Sequence, residues 1–213
     1  MVSLLGVRLL PPGWSRILDP RRMLVCGVLM LLPPATNAAQ IIHADVALVE
    51  DNYEVYFAII LKGDFARLKE IVTDYPRFVS ISPTVTSSRI VTGRSGEAAR
   101  IELVFRPCVL VIFCRNITKV SDTLIDDEGA RVRFLAVPEF SDFYEARETI
   151  TLVDEPGSKV PSVRFVYSAV LKPKFFVPPL IGPWLIRRYI VNDLKTTSAR
   201  AEEILRQGAV AGE

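Results

Sequence analysis

Leu68-Lys69-Glu70-Ile71-Val72-Thr73-Asp74-Tyr75-Pro76-Arg77-Phe78 ends one helix and begins a second short turn. The helix opens at Gly63-Asp64. Phe65, Leu68, Ile71 and Val72 fall on one face, and Asp64 stands where its carboxylate can cap the free amides of the first turn. Pro76 closes the run, because a proline ring disfavours helical geometry at the residue before it. Upstream, Val46 and Leu48 alternate with polar neighbours, Asp51-Asn52 reads as a tight turn, and Tyr53 to Leu61 resumes the alternation, which predicts a hairpin. Downstream, strands are expected at Val85 to Val91, Ala99 to Phe105, Cys114 to Val120, Ala130 to Val137, Phe143 to Leu152 and Val163 to Leu171. Gly93-Arg94-Ser95-Gly96, Asp126-Asp127-Glu128-Gly129 and Glu155-Pro156-Gly157-Ser158 separate them as turns. After Gly182-Pro183, Leu185, Ile186, Tyr189, Ile190, Leu194, Ala201, Ile204 and Leu205 recur at helical spacing and predict a long amphipathic helix.

This order implies an α+β fold: a curved antiparallel sheet wrapped around a long C-terminal helix, with two short helices after the first strand and an apolar cavity between sheet and helix. Strand alternation turns Ile101, Leu103 and Phe105, then Val132, Phe134 and Ala136, then Val163, Phe165, Tyr167 and Ala169 inward. In Phe143 to Leu152 the inward parity runs through Tyr144, Ala146, Ile150 and Leu152, and so carries Glu148 with it. A carboxylate there needs a partner. It pairs with an arginine such as Arg115, or orients the polar head of a ligand, or a bulge turns it to water.

The first forty residues read differently. Arg21-Arg22 precedes the apolar run Met23 to Leu32, Pro33-Pro34 closes it, and Ala35-Thr36-Asn37-Ala38-Ala39 follows. About ten apolar residues are too few to span a bilayer, which takes about twenty. The pattern is that of a secretory signal peptide over residues 1–39, with residues 40–213 as the mature domain and a periplasmic location. An uncleaved interfacial anchor is the alternative.

Charge and chemistry narrow the function. The chain carries a formal charge of +2, and without the leader's Arg8, Arg16, Asp19, Arg21 and Arg22 it is close to neutral, with acidic and basic residues interspersed, which argues against nucleic acid. The lone histidine, His43, stands near the expected mature terminus, so no Ser-His or Cys-His nucleophile and no histidine-rich metal set can form, and no cofactor is implied. Cys108 and Cys114 would lie about 20 Å apart in one unbroken strand, too far to bond. Pro107 interrupts that strand, and a hairpin with its tip at Val109-Leu110-Val111-Ile112-Phe113 predicts a disulfide between them. A second apolar stretch, Phe175-Phe176-Val177-Pro178-Pro179-Leu180-Ile181-Gly182-Pro183-Trp184, is flanked by Lys172, Lys174, Arg187 and Arg188 and suits transient contact with a membrane surface, or equally a loop folded onto the sheet.

Three segments carry a family resemblance: Leu68 to Phe78, Asp142-Phe143-Tyr144-Glu145-Ala146, and Pro179-Leu180-Ile181-Gly182 before the last helix. Over roughly Asp45 to Arg206 the chain resembles the START-like, helix-grip (SRPBCC) superfamily, and within it the polyketide cyclase/dehydratase and coenzyme Q-binding branch. The resemblance implies a cavity for a lipid, quinone, isoprenoid or similar molecule. Leu103, Phe105, Val132, Phe134, Tyr144, Glu148, Phe165, Tyr167, Phe176, Trp184 and Tyr189 are the expected ligand-binding residues. Carriage of a hydrophobic ligand in the cell envelope is the favoured expectation. A cyclase-like enzyme using Glu148, Tyr144 or Tyr167 and a non-catalytic envelope adaptor are the alternatives.

Overall fold

The computed structural model describes residues 40–109, 113–126, 130–157, 160–178 and 180–210, so the expected leader at 1–39, the hairpin tip at 110–112 and the turn residues 127–129 lie outside the described residues. The described residues open on a hairpin of β1 (Gln40–Val49) and β2 (Asn52–Lys62). Two short helices follow, α1 (Phe65–Thr73) and α2 (Phe78–Ile81), with a 3-10 turn over Tyr75–Arg77 between them. Next come β3 (Val85–Thr92), β4 (Arg100–Phe105), the two-residue strands β5 (Cys108–Val109) and β6 (Phe113–Cys114), β7 (Ile117–Ile125), β8 (Arg131–Ala136), β9 (Phe143–Asp154) and β10 (Ser162–Pro173). The last helix, α3, runs Gly182–Val210.

Eight strands form one sheet in the order β1-β2-β10-β9-β8-β7-β4-β3, every neighbouring pair antiparallel. The connection from β2, inside the sheet, to β3 at its far edge is made by α1 and α2. α3 packs on β1 and β2 and on both short helices. The expected helix-grip architecture is present, with the short helices following the whole opening hairpin. Gly63, where the chain leaves β2, has φ +152°, and a Cβ there would stand 2.8 Å from Leu205 Cδ1, so this glycine lets α3 cross tightly over the end of β2.

Two apolar clusters hold the layers together. One joins Phe57, Ile59 and Leu61 of β2 to Leu68, Ile71 and Val72 of α1, to Leu103 and Phe134 of the sheet and to Ala201 and Leu205 of α3. The other sets Val46, Tyr53, Val55 and Ala169 against Ile186, Ile190 and Leu194 of α3. Tyr75, the break residue of the opening stretch, is fully buried, and its hydroxyl reaches Thr123 Oγ1 at 3.2 Å, tying the first helical segment to β7.

Two expectations are corrected. β7 starts at Ile117, later than Cys114, because Cys114 belongs to a separate hairpin in which it pairs with Cys108. That hairpin carries the expected disulfide, with the two Cα atoms 4.0 Å apart. Tyr144, placed inward by parity, is 61% exposed: the register between β9 and β10 shifts at Lys172/Pro173, and Tyr144 lies at that irregularity.

Asp64 accepts a hydrogen bond from the Arg67 amide at 3.0 Å and caps α1. Asp64→Ala is expected to cost about 1 kcal/mol of stability, measured as a lowered urea midpoint at unchanged slope.

Candidate functional site: an apolar cavity with two polar poles

A partly open cavity of about 160 Å³ lies between the inner face of the sheet and the three helices. Leu61, Leu103, Phe105, Phe134, Ile150 and Phe165 form its sheet wall. Leu68, Ile71 and Val72 of α1, Phe78 and Ile81 of α2, and Leu194 and Ala201 of α3 form the wall opposite. The floor is thus built by strand alternation and the roof by helical periodicity.

The first polar pole is on the sheet. In β7 the inward positions Ile117, Lys119, Ser121 and Thr123 are all buried, three of them polar. Lys119 pairs with Oε1 of Glu148 on β9, the two side chains only 5% and 9% exposed. Tyr167 of β10 donates its hydroxyl to Glu148 Oε2 at 3.1 Å. The Lys119 ammonium also stands 5.3 Å from the ring centre of Phe105 and 6.0 Å from that of Phe134, inside the range in which aromatic faces stabilise a cation. The pair therefore has compensation for its desolvation from a counter-charge, a hydrogen bond and two rings. Burial, followed by the Glu148 charge and hydrogen bond, pushes the Tyr167 phenol well above its ordinary value, so it stays protonated and serves as a donor.

The second pole is on α3. Asp193 receives hydrogen bonds at Oδ1 from Ser82 Oγ (2.9 Å) and Thr84 Oγ1 (2.7 Å), which lie in the Ser82-Pro83-Thr84 link from α2 to β3. Burial raises the Asp193 carboxyl above its usual range, against the two hydroxyls and the Arg200 charge, which pull it down. Tyr189, one turn earlier, is pushed up to about 12, chiefly by burial. One turn later, the Thr197 hydroxyl lies buried at the cavity wall without a hydrogen bond.

Solved structures with this architecture place it. A START superfamily protein from Mycobacterium smegmatis matches with a TM-score of 0.56 at 12% identity, over 72% of this chain and 97% of that one. The Zhui aromatase/cyclase from Streptomyces sp. R1128 gives 0.57 at 8%, over 73% and 94%. A STAR-related lipid transfer protein from Xanthomonas axonopodis gives 0.54 at 18%, over 76% and 98%. The fold is START-like. No family model and no curated protein matches the sequence.

Within this START-like cavity the expected site residues are distributed unevenly. Leu103, Phe105, Phe134, Glu148, Phe165 and Tyr167 line it. Val132 is core beneath the wall, at 1% exposure, and Tyr189 is half-buried beside Asp193 without lining the cavity. Phe176 (81% exposed) and Trp184 (58%) lie on the outer surface, as does Tyr144. Glu148 finds its partner in Lys119 rather than Arg115, whose guanidinium stands 5.2 Å over the Phe175 ring, beside the disulfide hairpin. His43 is exposed in β1 against Tyr56. Lys119, Asp193 and Thr197 were missed. The parity that joins Ile117 to Ile125 carries Lys119 inward, and Asp193 and Thr197 follow Tyr189 at four-residue steps along the apolar stripe of α3.

Lys119→Met leaves the Glu148 carboxylate buried without its counter-charge and is expected to destabilise the protein by about 3–5 kcal/mol. Adding Glu148→Gln to that variant should recover most of the loss, because the neutral amide still accepts from Tyr167. Urea unfolding of the single and double variants measures both values.

Proposed function

We propose that this protein binds a hydrophobic molecule in the START-like cavity and carries it within the cell envelope. The observation that carries the reading is a cavity with a largely apolar wall, whose buried ion pair is satisfied by the protein itself. Lys119, Glu148 and Tyr167 bond to one another, whereas an apolar wall gains about 25 cal/mol for each Å² of ligand surface it takes from water. One structural neighbour is named a lipid transfer protein and another an aromatase/cyclase, and the internal pairing favours carriage over cyclase chemistry. At about 160 Å³ the cavity accepts a molecule about the size of benzene or somewhat larger. A lipid-length chain exceeds this volume and extends beyond the partly open cavity. Export belongs to the same proposal, with its support in the sequence of residues 1–39.

The reading is tested with the full chain, purified without detergent. Isothermal titration with ethylbenzene should give saturable binding, and native mass spectrometry should show a copurifying apolar molecule. Ala201→Phe, which projects a ring into the cavity from α3, should weaken ethylbenzene binding at least about tenfold, through loss of the cavity volume. Absence of both ethylbenzene binding and a copurifying molecule overturns the reading.

Delivery would involve a membrane surface. Phe176, Leu180, Ile181 and Trp184 are exposed around the start of α3, Arg188 stacks 5.4 Å over Trp184, and Lys174 stands 5.8 Å over Tyr144. Exposed aromatics interleaved with cations suit an anionic bilayer interface. Trp184→Ala combined with Phe176→Ser should reduce cosedimentation with vesicles containing phosphatidylglycerol severalfold and leave ethylbenzene binding intact. Unchanged cosedimentation removes these residues from the membrane contact.

A further inference from the structure

The two poles of the cavity differ in how much of their bonding capacity is already used. On the sheet, both oxygens of Glu148 are engaged, one by Lys119 and one by Tyr167. On α3 the engagement is one-sided. Ser82 and Thr84 both donate to Oδ1 of Asp193, and among the described residues no hydrogen bond reaches Oδ2. Asp193 and Thr197 both line the cavity, one helical turn apart, and the Thr197 hydroxyl is buried with no partner. A buried polar atom without a partner costs about 1–3 kcal/mol, so the Thr197 hydroxyl, one turn from a carboxylate oxygen that no hydrogen bond reaches, marks a place where something else completes the set.

We propose that this end of the cavity is a donor-reading subsite: an apolar ligand presents a hydroxyl or ammonium group to Asp193 Oδ2 and Thr197 Oγ1 while its hydrocarbon part lies against Phe165, Ile150 and Leu103. The inference rests on the reading of the cavity as a hydrophobic-ligand site and adds the chemical class of the ligand. Ser82 and Thr84 act as positioning residues. By occupying Oδ1 they fix the carboxylate and leave Oδ2 for the ligand. Ser82 Oγ in turn accepts from the Thr84 backbone amide at 3.2 Å, which holds the bracket from within. Burial raises the Asp193 carboxyl, which means that its charged form is under-compensated in the empty protein and gains from a further donor. The ligand class that follows is an apolar body with a terminal alcohol, phenol or amine. A pure hydrocarbon, an ether or an ester offers no donor and leaves Asp193 Oδ2 uncompensated.

Four probes of similar size separate these classes by isothermal titration against the full chain: ethylbenzene, 4-ethylphenol, 2-phenylethylamine and 4-ethylanisole. In the wild type, 4-ethylphenol or 2-phenylethylamine should bind at least about tenfold more tightly than ethylbenzene, whereas 4-ethylanisole, which only accepts and so meets only the Thr197 hydroxyl, should gain less than either donor probe. The probe that gains identifies the donor as hydroxyl or ammonium. Asp193→Asn keeps an oxygen for Ser82 and Thr84 and turns the free position into an N–H donor. In that variant the advantage of the donor probe should fall below about threefold and 4-ethylanisole should overtake ethylbenzene. Thr197→Val, close in shape, should lower the donor preference without affecting ethylbenzene. If no donor probe is preferred in the wild type, or if the preference persists in Asp193→Asn, while ethylbenzene binds both proteins, the subsite is overturned and the apolar cavity stands. If ethylbenzene fails to bind the wild type, the cavity reading falls and takes the subsite with it.

Discussion

An eight-stranded sheet has more inner face than one helix can cover. With neighbouring strands about 4.8 Å apart, the two edge strands are separated by about 34 Å along the sheet, whereas a helix with its side chains is about 10 Å across. The chain answers with curvature and with a crossover. α3 lies over β1 and β2, where Gly63 admits it closely, and α1 and α2 bridge from β2 to the far edge at β3. Each of these elements covers part of the face with its own apolar stripe. Where their stripes stand off from Leu103, Phe134, Ile150 and Phe165 a space is left between helices and sheet, and the cavity is that remainder.

The same constraint explains which features were readable in the sequence. Local rules sufficed for the strands with clean alternation, for the Asp64 cap, for the stripe of α3 and for the cysteine hairpin, because each depends on neighbours a few residues away. Glu148 could be turned inward by parity, but its partner could not be chosen from parity, since Lys119 is 29 residues distant and reaches it across β8. A lysine within a polar run such as Thr118-Lys119-Val120-Ser121-Asp122-Thr123 reads as a solvent-facing residue until Ile117 and Ile125 are recognised as the same face. Tyr144 failed for the opposite reason. Its local alternation was sound, and the irregularity that exposes it is decided by the pairing of β9 with β10 around Pro173, a backbone with no donor to give. Asp193 illustrates a third limit: an acidic residue on an apolar stripe is a conflict that only the hydroxyls of Ser82 and Thr84, over a hundred residues earlier, resolve.

Polar residues inside an apolar cavity serve either the fold or the ligand, and the way they are satisfied separates the two roles. Lys119, Glu148 and Tyr167 form a closed set. Charge, hydrogen bonds and two aromatic faces are all supplied internally, so the protein is able to stand empty without a bare charge in its interior. A ligand that bonded to this pole would first have to break what is already made, and the exchange would return little net energy.

Under the proposed carriage the consequence is a division of labour. Binding energy comes from the apolar wall, which is indifferent to the exact shape of a hydrocarbon and can be surrendered to a bilayer at small net cost, since lipid tails offer the same environment. Selection has to come from atoms that are not committed elsewhere, and among the cavity-lining residues those are on α3, at Asp193 and Thr197. If the helix that reads the ligand is also the lid, displacing it breaks the Asp193 contacts with Ser82 and Thr84 and releases the headgroup in the same motion. Recognition and release are then coupled through one carboxylate.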